Sequence, residues 1–218
     1  MKKVVGNFWY AILAGVAIAV GGTSFLFNMS MDGSKLVGSV LFCAGLYAVC
    51  TLGFNLFTGK VGFVFENDPK QYLPFLVYVW IGNYVGSIIW GTVIRYVYAG
   101  NEKFLAAAEK VATGKINKAS ATPFALFVLA ILCNFLVVLA VEEFIHNKHE
   151  LGKYLGILAC ITTFVFLGFE HSIANMYYMA VAGKTTAGFL NIVIVTLGNI
   201  VGGVIIPGSR KFKAWCDR

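Results

Sequence analysis

Charged side chains are scarce in this 218-residue chain: Asp, Glu, Lys and Arg make up 12% of it, where soluble domains carry about a quarter. There are only four prolines and three histidines. No Walker loop, dinucleotide-binding glycine fingerprint or serine nucleophile elbow occurs, which argues against an ATP-driven pump within this chain and against the common enzyme classes. Five cysteines are present, and Cys43, Cys50, Cys133 and Cys160 lie inside apolar runs, where the thiol behaves as a small hydrophobe; Cys216 is the fifth. Neither a disulfide, a metal site nor a cofactor is expected. What fills the chain instead is apolar residues, 59% of the total, with a mean hydropathy of +0.79. At roughly 20 apolar residues per membrane helix, about six helices consume nearly the whole length. A separate soluble domain has no room, so the net charge of +7 does not point to nucleic acid.

Six candidate spans follow: Phe8–Phe27, Leu36–Leu52 with a continuation to Phe65, Tyr72–Val97, Thr122–Val141, Leu155–Tyr178 and Ala187–Pro207. Met1-Lys2-Lys3 imitates the start of a signal peptide, but no small-residue cleavage pattern closes the run, which reads as the first span. Connections are short except Gly100–Ser120, read as a solvated loop with some helical spacing or as a short amphipathic helix. Lys2, Lys3, Arg210, Lys211, Lys213 and Arg218 favour both termini on the cytoplasmic side of a plasma membrane.

Two spans carry a polar, glycine-bearing interruption: Gly53-Phe54-Asn55-Leu56-Phe57-Thr58-Gly59 and Gly168-Phe169-Glu170-His171-Ser172-Ile173-Ala174-Asn175. Backbone released from a helix inside a bilayer is tolerated only where protein buries it or a wet cavity solvates it. The chain also matches itself at an offset of about 115 residues: Gly53-Phe54-Asn55 answers Gly168-Phe169-Glu170, and Ile81–Ile89 aligns with Leu197–Ile205, keeping Gly, Asn, Val and Gly. Each half, residues 1–100 and 121–218, holds three spans. Three is odd, so the second half enters the membrane from the opposite side, giving an inverted 3+3 repeat within a single transport domain of residues 1–218.

Glu170 and His171 are adjacent ionisable groups deep in a span, where such residues are costly and mark function. His171 is read as a proton or hydrogen-bond donor to a passing anion, or as a core histidine fixing the broken helix. Glu170 is read as structural support, capping freed N–H groups or orienting a neighbour, because a carboxylate facing an anion path repels its cargo. Thr58 either binds substrate through its hydroxyl or satisfies a freed carbonyl. Asn134 and Asn175 supply amide donors for an anion or tie helices together. Phe42, Leu46, Leu56, Phe57, Val137 and Phe164 are candidates for an apolar constriction that gates by dewetting. Glu143 and His146 have the spacing of a carboxylate-bridged metal motif, but no second copy exists, so that segment reads as a solvated helix end.

Asn55-Leu56-Phe57-Thr58-Gly59 and Phe169-Glu170-His171-Ser172-Ile173-Ala174-Asn175-Met176 resemble the interrupted second and fifth helices of the formate/nitrite transporter family, and the resemblance extends over all six spans. Asn55 departs from the family pattern, where a carboxylate is more usual. The resemblance implies an all-α, aquaporin-like six-helix protomer assembled as a homopentamer in lipid, each protomer with its own pore. It further implies that His171 and Thr58 face each other at the pore centre, with Asn134 and Asn175 nearby, the apolar groups forming constrictions, and Lys118 in a vestibule. The expected cargo is a small monovalent anion of a weak acid: formate, nitrite or hydrosulfide. Two rivals stay open. A neutral-solute channel lacks the paired Asn-Pro-Ala motifs of aquaporins, and a membrane redox subunit would use His171, His146 and His149 as cofactor ligands.

Overall fold

The computed structural model describes residues 2–218, and among them all regular structure is helical. Helix α1 (Lys2–Ser30) has 29 residues, about 44 Å at the α-helical rise, which exceeds the roughly 30 Å of hydrocarbon to be crossed. Helix α2 (Lys35–Leu52) starts at Ser34, whose hydroxyl accepts from the Val37 N–H at 3.2 Å, and stops at Gly53, which turns left-handed at φ 69°. Three residues later comes α3 (Phe57–Val61), only five residues long, and then a single 3-10 turn at Val64–Glu66. Helix α4 (Pro69–Val97) is capped by the Asp68 carboxylate, with proline at its first position, where no intrahelical N–H is lost. The second half runs α5 (Glu102–Ala121), α6 (Pro123–His146), α7 (Glu150–Leu167), α8 (Ser172–Ala182) and α9 (Phe189–Cys216). Helix α7 ends at Gly168, again left-handed at φ 75°, so both interruptions open on the same backbone conformation.

Helices α1, α2, α4, α6, α7 and α9 are long and apolar enough to cross a membrane. They extend past the expected spans because helix continues beyond the apolar stretch into polar sequence, as at Arg210–Lys213 in α9. At Gly100–Ser120 the helical alternative holds, and the helix is longer than a short one. It forms a 20-residue helix, built from strong helix formers and started by Asn101, whose side chain accepts from the Phe104 N–H at 3.0 Å. Phe104, Ala108 and Ala112 on one face are fully buried. Helix α5 packs against α1, α8 and α9 and covers one end of the bundle. Both chain ends lie at the other end: Lys3 shares a cavity wall with Asn67 and Asp68, and the Lys211 ammonium sits over the Phe65 ring.

Helix α1 pairs extensively with α4, and α6 with α9. These contacts are close because glycines let backbones touch. A Cβ on Gly86 would lie 2.1 Å from the Ile12 carbonyl oxygen, and one on Gly202 would lie 2.1 Å from that of Ile131. The short α3 packs against α6 and α9, whereas α8 packs against α1 and α4, so each broken helix is held by the opposite half of the chain.

The freed backbone at the two interruptions is satisfied by one asparagine each. Asn83 donates to the carbonyls of Ala11 (2.7 Å) and Asn55 (2.9 Å) and accepts from the Phe57 N–H (2.8 Å). Asn199 donates to Ala130 (2.8 Å) and Glu170 (2.9 Å) and accepts from the Ser172 N–H (2.9 Å). Each amide thus uses both donors and its acceptor on three backbone groups, two in the interruption and one on a neighbouring helix. Replacing Asn83 or Asn199 by Ala strands one buried N–H and two buried carbonyls, an expected loss of about 2–4 kcal/mol. Unfolding in detergent followed by circular dichroism checks this; Asn→Asp, which keeps the acceptor alone, should destabilise as well, and unchanged midpoints would refute the tie.

Candidate functional site

The site is assembled from the first residues of α3 and α8. His171 is the N-cap of α8, and its Nδ1 accepts the Ala174 N–H at 3.1 Å. A nitrogen that accepts carries no proton, so in the neutral ring the proton sits on Nε2. That Nε2 lies 2.9 Å from the Thr58 hydroxyl in the first turn of α3. The helix cap therefore sets the tautomer: Nε2–H donates to Thr58 Oγ1, and the threonine keeps its own proton to give elsewhere. Both residues are buried, Thr58 at 0% and His171 at 3% exposure. The Phe164 ring stacks on the imidazole with centroids 5.9 Å apart, and Phe42 meets Phe164 edge-on at 5.8 Å. These contacts fix the ring plane.

Two cavities approach this pair from opposite ends without sharing a lining residue. One, of about 300 Å³ beneath α5, reaches His171 past Phe42 and Phe164 and is lined by Lys35, Lys110, Lys115 and Lys118, with Glu170 as its acidic member. The other, of about 480 Å³, reaches Leu56 and Gly59 from the end holding the chain termini and is lined by Lys60, Tyr72 and several aromatic rings. Between them the hydroxyl–imidazole contact and its packing close the route.

Glu170 does not cap the helix; that place is taken by His171. Its carboxylate, 1% exposed, pairs with Lys115 at 2.6 Å and Lys118 at 3.1 Å and accepts from Asn175 at 2.9 Å. Asn175 also donates to Asn191, which donates to the Lys115 carbonyl at 2.9 Å. The ring Lys115–Glu170–Asn175–Asn191 locks α5, α8 and α9 together around the approach to His171. Lys118 is the more exposed of the two lysines, with 46% of its side chain accessible against 15% for Lys115.

The amides behave as ties rather than as free donors. Asn134 spends both N–H bonds on the carbonyls of Thr58 (3.1 Å) and Asn199 (2.6 Å), and Asn175 spends both on Glu170 and Asn191. Of the apolar candidates, Phe42 and Phe164 line the α5-side cavity and Leu56 the other. Leu46 and Val137 are buried and line neither. Phe57 points elsewhere, into an apolar crevice between α3, α4 and α9, because successive residues on a helix are turned about 100° from one another and Thr58 takes the direction of His171. Sequence reading missed Lys115, Lys60, Asn83, Asn191 and Asn199 as site residues. The asparagines Asn83 and Asn199 were visible as the amides kept in the internal match, and Lys115 stands three residues before Lys118, on the same helical face.

Fold and centre together define a membrane-spanning protein in which two interrupted helices bring a hydroxyl and an imidazole together between two cavities. A family profile described as Formate/nitrite transporter matches residues 2–211. A probable formate transporter of Methanothermobacter thermautotrophicus is 33% identical, over 94% of this chain and 85% of its own. The nitrite transporter NirC of Salmonella typhimurium is 30% identical over 95% and 83%. Among solved structures, a pentameric formate channel with formate bound superimposes with a TM-score of 0.83 at 25% identity, covering 99% of this chain and 98% of that one. The chain belongs to the formate/nitrite transporter family.

The Glu170 ring makes a graded prediction. Glu170→Ala leaves two ammonium groups and an amide facing a void and should cost about 2–3 kcal/mol, whereas Glu170→Gln retains an acceptor and should cost less. Thermal unfolding in detergent distinguishes them; equal midpoints for both variants and the parent would contradict the ring's structural role.

Proposed function

We propose that the chain forms a passage for a small monovalent anion of a weak acid, formate or nitrite, in a homopentamer whose protomers each contain a pore. It acts as a transport protein without catalysing a chemical conversion, its two halves inserted in opposite senses and both termini cytoplasmic. The observation that carries this reading is the 2.9 Å contact between Thr58 Oγ1 and His171 Nε2, with His171 lining one cavity and Gly59, next to Thr58, lining the other. Membership of the family, the formate and nitrite transporters among the relatives, and the likeness to a pentameric formate channel support it.

The pathway follows from the charges. Lys35, Lys110, Lys115 and Lys118 around one carboxylate leave the α5-side cavity positive, which concentrates anions at its mouth. Beyond Phe42 and Phe164 the anion sheds water, a step whose cost rises steeply with net charge. There the Thr58 hydroxyl, which keeps its own proton while accepting from His171, offers one neutral donor, and the His171 Nε2–H becomes a second when the anion takes the place of Thr58 Oγ1. Adding a proton to Nδ1 would displace the Ala174 N–H from its acceptor and unmake the cap of α8. The imidazole therefore works as a fixed hydrogen-bond donor, and an acid that crosses in its neutral form takes its proton from the vestibule water. The sign follows: with total anion held constant, influx rises as the pH on the entry side falls, since the protonated fraction grows.

Liposomes containing the purified protein and a trapped pH or nitrite indicator test the proposal. The parent protein should admit formate and nitrite, faster at lower entry-side pH. His171→Phe and Thr58→Val should each slow entry about tenfold or more, the loss of one or two good hydrogen bonds to a charged group. Entry unchanged in both variants at every pH would overturn the mechanism, and glycerol-driven swelling without anion entry would favour a neutral-solute channel instead.

A further inference from the structure

We propose that Lys60 forms a second anion-binding subsite, in the cavity on the face opposite α5. The inference rests on the reading of the chain as an anion passage and adds a station that this reading does not require. Lys60 occupies the end of α3, two residues after Thr58 on the same five-residue helix. Its backbone is pinned: its N–H bonds the Leu56 carbonyl at 2.9 Å, and its own carbonyl accepts from the Tyr72 hydroxyl at 2.9 Å and the Phe63 N–H at 3.0 Å.

The side chain is another matter. Among the described residues the Lys60 ammonium makes no hydrogen bond and no ion pair, although the residue is half-buried and lines a cavity of about 480 Å³. Every other lining residue is uncharged, and the walls include Phe54, Phe63, Phe75 and Phe144. An ammonium facing apolar walls without a counter-charge lacks compensation for lost hydration, and intramembrane lysines ordinarily find a partner. A small anion supplies that partner. Asn67, which lines the same cavity, gives one N–H to the Phe63 carbonyl at 2.8 Å and has a second to offer.

The ligand class follows from the room and the donors. A compact monovalent anion with two or three acceptor oxygens can take the ammonium and one amide N–H, whereas a bulky organic anion would have to displace the aromatic walls. Leu56 lines the same cavity, so a bound anion waits beside the residue that precedes the Thr58–His171 pair. On this account the subsite fills from the face holding the chain termini and hands its anion over Leu56 to the centre.

Formate and nitrite entry into liposomes, measured over a range of concentrations, is the test. Lys60→Met should raise the half-saturation concentration about tenfold, as expected for losing a charge-assisted contact, with the saturating rate kept within about twofold. Lys60→Arg, which retains the charge, should stay within about threefold of the parent. Lys60→Gln serves with the same expectation as Met if the Met variant elutes aggregated. A half-saturation matching the parent in the uncharged variants would show a lysine that merely extends to water, and an Arg variant as impaired as the Met variant would show a packing role; either overturns the subsite. Failure of the parent to admit either anion would instead overturn the functional reading itself.

Discussion

A chain that breaks its helices inside a membrane must find partners for the backbone it releases, and two asparagine side chains meet that requirement here. Asn83 and Asn199 each hold three backbone groups, binding the interruption to the neighbouring helix of its own half. The glycines at 86 and 202 bring those neighbouring helices close enough for the amides to reach. Without the ties, the starts of α3 and α8 would have no fixed position, and the hydroxyl and imidazole they carry would have no reason to meet. The two junctions are alike in their hydrogen bonds and unlike in their cargo: one presents Leu56 and Thr58, the other His171 and Ile173. Equivalent scaffolds with different side chains place a donor from each half at a single point.

The same helix start that positions His171 also decides its chemistry. A histidine at an N-cap can accept the orphan N–H of the first turn only through an unprotonated ring nitrogen, so local secondary structure selects the tautomer before any substrate arrives. The stacked Phe164 fixes the ring plane, and the Glu170 network fixes the strand of chain from which the ring projects. Each constraint comes from an ordinary folding requirement. Their sum on the proposed route is a donor whose ring is held in place, so that the one rearrangement left is the exchange of Thr58 Oγ1 for an anion that has lost its water.

Much of this was legible in the sequence because membranes impose few solutions. Six apolar runs, two polar interruptions and a self-match at constant offset were enough to expect broken second and fifth helices, and the resemblance of the two interruptions to the family added the meeting of Thr58 with His171. What escaped notice lay where hydropathy carries no signal. The Gly100–Ser120 stretch averages near neutrality, so its helical spacing was visible but not its packing onto the bundle, and with that went the role of Lys115, the nearer partner of Glu170. Asn83 and Asn199 were noticed as repeated letters, but only their three-dimensional surroundings separate a buried tie from a residue kept by chance. Phe57 was grouped with its neighbours because adjacency in sequence says nothing about direction on a helix.

The charge layout bears on direction of movement. Glu170 lies near the proposed route, yet its two lysines leave that neighbourhood with net positive charge, so the carboxylate serves to hold cations in place rather than to repel anions. At the far cavity the charge comes from Lys60 alone, and between the two stand uncharged donors. On the proposed route an anion passes from cation to neutral centre to cation whichever side it enters, through unrelated residues at each end. A profile with a well at both mouths and a barrier between offers little electrostatic preference for one direction, and net movement then follows the gradients of anion and proton across the membrane. The closed contact at the centre sets the rate in both directions, because the cost of dehydration falls there regardless of the side of entry.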